Sequence, residues 1–135
     1  MKRRWMIPGA ALALGALAGW TAVGRKKRYT LITQEQARAM MAADDGPVIV
    51  DVRREDEFAA GHIPGAVCIP VETIGTARPA ELPDPDQVIL IYCRRGSRSR
   101  RAAQKLGEMG YTRVFSFGGI DSWTGEITSE APTDE

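Results

Sequence analysis

One histidine and two cysteines are all the imidazole and thiol chemistry in this chain of 135 residues. A single histidine is too few for a common zinc site. The cysteines, Cys68 and Cys93, are too few for a disulfide framework and do not form a C-x-x-C pair. No segment repeats at a solenoid period. Charge of one sign is not in excess either, because the formal net charge is only +1. A nucleic-acid binder spreads basic residues along one face, and nothing here has that form. What remains is an ordinary globular composition, 44% hydrophobic and 26% charged, long enough for one modest core.

The small net charge conceals three blocks. Residues 1–28 contain seven Lys or Arg and no acid, while residues 29–135 contain eleven Lys or Arg against seventeen Asp or Glu. Five of those eleven are arginines within residues 94–101, directly after Cys93. The domain is therefore acidic apart from one basic loop. That concentration suits a small anion.

The N-terminal block, "MKRRWMIPGAALALGALAGWTAVGRKKR", reads as a membrane-directing segment. Residues 6–24 are uncharged, close to the roughly 20 needed for a helix to span a bilayer. Two readings stay open. One is a cleaved export signal with a small-residue site at Ala16-Leu17-Ala18, which would leave the domain periplasmic. The other is an uncleaved single-pass anchor. The basic quartet at residues 25–28 favours the anchor, but the near balance of basic residues on the two flanks does not fix which side the domain faces.

From Tyr29 the pattern alternates between helix and strand. Thr33 and Gln36 form a capping box for a helix whose apolar stripe is Ala37, Met40 and Met41, ended by Asp45-Gly46-Pro47. "VIVDV" at 48–52 and "QVILIY" at 87–92 are continuous apolar runs, as in strands buried on both faces. "REDEFAA" is a short helix closed by Gly61, and "AVCIP" is a short strand. A proline-rich connection, with room for one helical turn, leads on to the strand at 87–92. Residues 97–109 form the next helix, stopped by Gly110. "RVFSF" is a last strand, and "GGIDSW" turns into a short helix. The chain divides into residues 1–28, a domain at 29–125 and an acidic, disordered tail at 126–135. Alternation at this spacing implies a parallel sheet covered on both faces, with ligands beyond the carboxyl ends of the strands.

Cys93 occupies such an end, just ahead of a helix. A thiol acts as a nucleophile only when ionised, and helix N-termini and nearby cations favour the thiolate. The loop of Arg94, Arg95, Gly96, Ser97, Arg98 and Ser99 supplies both, with backbone N–H groups free to converge on the sulfur and Gly96 allowing a tight turn. Arginines at a helix start oppose its dipole by up to about 1 kcal/mol each. A bound anion, or an anionic persulfide on Cys93, relieves that conflict.

Three segments then resemble the rhodanese family. "DVRREDEFAAGHIPGAVCIP" at 51–70 is similar to the family's DVR…E[FY]…GHIPGA…IP motif. "YCRRGSRS" resembles its CRxGxR catalytic loop, and "GGIDSW" its GG…W segment. The resemblance covers about residues 30–125. It implies an α/β, three-layer fold, a central parallel five-stranded sheet flanked by helices, here preceded by an N-terminal apolar helix. It also implies sulfur transfer through a persulfide on Cys93. Arg94 and Arg98 match positions that bind a sulfur-containing anion donor such as thiosulfate. The loop backbone matches the persulfide cradle, and Asp51 and Arg53 match residues that support the loop. The implied acceptor is cyanide, a thiol, or a small redox or sulfur-carrier protein, with no metal or organic cofactor. His62 falls in the GHIPGA turn, which is structural in the family. Cys68 stands where the family usually has a small polar residue. It either packs as a small apolar group or, if near Cys93, resolves the persulfide.

Two rivals remain. Related folds that hydrolyse phosphate use a C-x5-R loop, whereas Cys93 to Arg98 is C-x4-R. A membrane-tethered, non-catalytic binding or sulfur-carrier module is the other, although such modules often lack the cysteine that this chain has.

Overall fold

The computed structural model describes residues 26–43 and 46–130. Both the apolar stretch at 6–24 and the end of the tail at 131–135 lie outside them. Five strands form one parallel sheet in the order β1-β5-β4-β2-β3: β1 (Thr30–Leu31), β2 (Val48–Asp51), β3 (Val67–Cys68), β4 (Val88–Cys93) and β5 (Arg113–Gly119). The helices are α1 (Gln34–Met41), α2 (Glu55–Ala60) and α3 (Ser97–Glu108), with 3-10 turns at Val71–Thr73 and Ile120–Ser122. Among the described residues no helix is long and apolar enough to cross a membrane.

β4 shows how the pattern sets the layers. Side chains alternate across a strand. Ile89, Ile91 and Cys93 therefore enter the core under α3, with Val50, Val52, Ala102, Ala103 and Leu106. Leu90 and Tyr92 enter the opposite core, with Ala37, Ile63 and Phe117. One strand is thus buried on both faces, as its unbroken apolar run requires. The same parity places Cys93 on the face that receives the start of α3.

The capping box of α1 is present: Gln36 N–H donates to Thr33 Oγ1 at 3.0 Å, and Thr33 N–H to Gln36 Oε1 at 2.9 Å. α1 stops at Met41, ahead of the breaker residues 45–47. The proline-rich connection forms no helix, and the single turn lies earlier, at Val71–Thr73. Its prolines lack the N–H groups a helix needs. The connection is held instead by Tyr111 Oη donating to Leu82 O and Thr112 N–H to Pro85 O.

Both ends of the domain are fastened. Gln104 on α3 accepts from Arg28 N–H at 2.9 Å and donates to Lys26 O at 2.9 Å. Residues 126–130, expected in a disordered tail, are tied down. Thr128 and His62 exchange backbone hydrogen bonds of 2.8 and 2.9 Å, and Glu130 N–H donates to Ala59 O. The acidic composition of this stretch gave no sign of that pairing, which uses only backbone groups.

Candidate active site

The loop between β4 and α3 folds around the sulfur of Cys93. Gly96 N–H donates to Sγ at 3.0 Å. Gly96 caps α3 with a φ of 120°, a conformation that side chains disfavour. Ser99 Oγ donates to Gly96 O at 3.0 Å and lies 2.9 Å from Ser116 Oγ, which fastens the loop to β5. Below it, β5 carries one extra residue: Ile91 pairs with Ser116, but Cys93 pairs with Gly119. Such a bulge bends a strand locally. It brings Gly119 so close to the loop that a Cβ there would collide with the carbonyl of Arg94.

Burial alone would push the Cys93 thiol up. The backbone N–H groups of Ser99, Gly96 and Arg95 outweigh it and hold the thiol below its ordinary value. Cys93 is 1% exposed and sits at the floor of a cleft of about 330 Å³. Arg94, Arg95, Ser97 and Arg98 line the rest. A thiol held below its ordinary value, converging N–H donors and a rim of arginines are together suited to a nucleophile and to an anion.

The structure brings loop residues 94–99 together, but the arginines have protein partners. Arg98 pairs with Glu57 on α2 at 2.9 Å, and Arg94 and Arg95 both approach Asp121. Neither acid stood out in the sequence. Glu57 lies within the first similar motif and Asp121 within "GGIDSW", so the signal was present as position and not as chemistry.

Asp51 and Arg53 act one layer back. Arg53 N–H and Nε donate to Asp51 Oδ1 at 3.0 Å each, and Nη2 donates to Oδ2 at 2.7 Å and to Gly61 O at 2.6 Å. The guanidinium lies over the Tyr92 ring, 5.9 Å from its centre. Tyr92 Oη accepts from Ile63 N–H at 3.0 Å. The pair therefore braces the end of β4 against the turn at residues 61–63, without touching the loop arginines.

His62 is buried, stacked on Phe58 at 3.7 Å, with Nδ1 2.7 Å from Phe58 O. A carbonyl only accepts, so Nδ1 carries the proton. Its position is structural. Cys68 pairs with Asp51, which pairs with Tyr92, so two strand spacings of about 4.8 Å separate Cys68 from β4. That exceeds the roughly 7 Å Cα limit for a disulfide. Cys68 lies 3.6 Å from Arg53 O, and burial, with the Asp51 charge adding to it, pushes its thiol up to about 11. Among the described residues, no group of three or more His, Cys, Asp or Glu is placed to share a metal ion.

A family model described as the Rhodanese-like domain matches residues 33–126. The chain belongs to the rhodanese-like family. It is 38% identical over 104 residues to the thiosulfate sulfurtransferase GlpE of Haemophilus influenzae, covering 76% of this chain and 92% of that one. It is 38% identical over 93 residues to a sulfurtransferase of Allochromatium vinosum, covering 68% of this chain and 85% of the relative. The crystal structure of a rhodanese-like domain protein from Staphylococcus aureus matches with a TM-score of 0.64 at 30% identity, over 76% of this chain and 99% of that one. The five-stranded parallel sheet between helices is that of the rhodanese-like fold.

Proposed function

We propose that this protein is a sulfurtransferase that carries sulfane sulfur as a persulfide on Cys93. The observation that supports it most is the position of Sγ, on the floor of an arginine-lined cleft with loop N–H groups directed at it. The relatives' names supply the reaction class.

Cys93 thiolate attacks the outer sulfur of a donor such as thiosulfate. A bond forms between the two sulfurs, the donor's S–S bond breaks, and sulfite leaves with its electron pair. The persulfide that remains carries one negative charge on its outer sulfur. N–H groups preset around an anion stabilise it as it forms, as in an oxyanion hole. A thiolate or cyanide acceptor then attacks the outer sulfur, and Cys93 leaves as thiolate. The two half-reactions share one covalent intermediate and alternate. Each step is a nucleophilic displacement at a sulfane sulfur with a stable anion leaving, so the chemistry calls for neither metal nor organic cofactor.

The test is cyanide-dependent thiocyanate formation from thiosulfate, with mass spectrometry of the protein after donor alone. Wild type is expected to turn over and to gain the mass of one sulfur on Cys93. Full activity in Cys93→Ala would sink the proposal.

A further inference from the structure

Arg94 and Arg95 turn their Nε edges toward one carboxylate oxygen. Asp121 Oδ2 lies 3.5 Å from Arg94 Nε and 3.3 Å from Arg95 Nε. Its backbone N–H donates to Arg94 O at 3.1 Å. Asp121 belongs to the Ile120–Ser122 turn and does not line the cleft. Arg98, the third arginine of the lining, is held by Glu57. All three cations that line the cleft therefore have a carboxylate partner. With Cys93 ionised, these three guanidinium groups face two carboxylates and one thiolate. A dianionic donor then meets loop N–H groups and arginines whose charge is partly offset by carboxylates.

We infer that Asp121 is a specificity-determining residue, which through Arg94 and Arg95 moderates the cleft's pull on dianionic sulfur donors and lets donors of lower charge compete. The inference rests on the sulfurtransferase reading above. Coulomb energy scales with the product of the charges, so removing the Asp121 charge favours a dianion twice as strongly, in free energy, as a monoanion. The side chains of Arg94, Arg95 and Asp121 are 56%, 79% and 45% exposed. Water and salt therefore hold the effect to a few-fold.

The experiment compares thiosulfate, a dianion, with an aryl thiosulfonate, a monoanion, in wild type, Asp121→Asn and Asp121→Glu. Asparagine keeps the shape and the backbone N–H, and glutamate keeps the charge. At low ionic strength Asp121→Asn is expected to lower the KM for thiosulfate about two- to fivefold, and that for the monoanion by about the square root of the same factor. kcat moves less than KM, added salt closes both gaps, and Asp121→Glu restores wild-type preference. Asp121→Ser removes the charge by another route should the asparagine variant fold poorly. A second arm measures thiosulfate binding by calorimetry to Cys93→Ser, with and without Asp121→Asn. Binding that is not tightened at low salt, or an equal change for both donors, overturns the role of Asp121. Absence of turnover in wild type sinks the sulfurtransferase reading instead, and the calorimetric arm still decides on Asp121.

Discussion

Arg98 and Glu57 join the active-site loop to α2 by a two-point ion pair, Nη1 to Oε1 at 2.9 Å and Nη2 to Oε2 at 3.5 Å. The same Oε1 accepts Arg54 N–H at 2.9 Å, so one carboxylate both caps α2 and positions a loop arginine. The bond from Arg98 holds the Glu57 carboxyl below its ordinary 4.5, against burial, with help from Arg54 N–H. A carboxylate lowered in the folded state adds stability above its unfolded pKa and loses it as pH falls through the folded one. Glu57→Gln is expected to cost about 1–2 kcal/mol at neutral pH. Its deficit against wild type should shrink on acidification below 4.5, read from urea midpoints across pH. A gap that is constant with pH would remove the ionised pair from the account.

The two thiols are pushed in opposite directions, which makes them separable. Near neutral pH, iodoacetamide is expected to modify Cys93 and spare Cys68, whose thiol sits at about 11. The modification rate at Cys93 should rise with a midpoint below the ordinary 9.0. Peptide mapping of the alkylated protein checks both points. Preferential labelling of Cys68 would contradict the hydrogen-bonded thiolate.

Gly119→Ala should damage the site more than the fold. The added methyl meets the Arg94 carbonyl, which is main chain and cannot swing aside. The expected loss is about 1–3 kcal/mol of stability, the usual cost of overpacking, with a larger fractional loss of sulfurtransfer. Alanine at the exposed Gly75, where a Cβ meets nothing within 4 Å, serves as the control. Unchanged activity in Gly119→Ala would show that the loop does not depend on this contact.

Asp51→Asn leaves the guanidinium of a buried pair without its counter-charge. Breaking such a pair costs about 3–5 kcal/mol. The variant is expected to melt well below wild type, and a double change that also replaces Arg53 by Met should recover part of the loss. Equal melting of the single and double variants would place the value of Asp51 elsewhere.

Much of this was legible in the residues themselves. The apolar runs of β2 and β4, the Thr33 capping box and the position of Cys93 before a helix all follow from local pattern, because burial on both faces and capping are local demands. β1 was not read as a strand. Thr30 and Leu31 are exposed and only two residues long, and their pairing to Phe115 and Ser116 is a long-range fact. The bulge in β5 was hidden for a related reason: one extra residue shows only against its partner strand. Glu57 and Asp121 were passed over because a sequence read for cations does not say which acids will face them.

The clamp of Gln104 on residues 26 and 28 gives the domain a direction. Cys93 lies at the carboxyl end of β4, and α3 runs back from it toward Gln104. Residues 26–28 therefore sit at the pole remote from the sulfur, where Arg28 also packs against Gly107. The mouth of the cleft opens at the other pole, so residues 26–28 do not stand between an incoming acceptor and the cysteine.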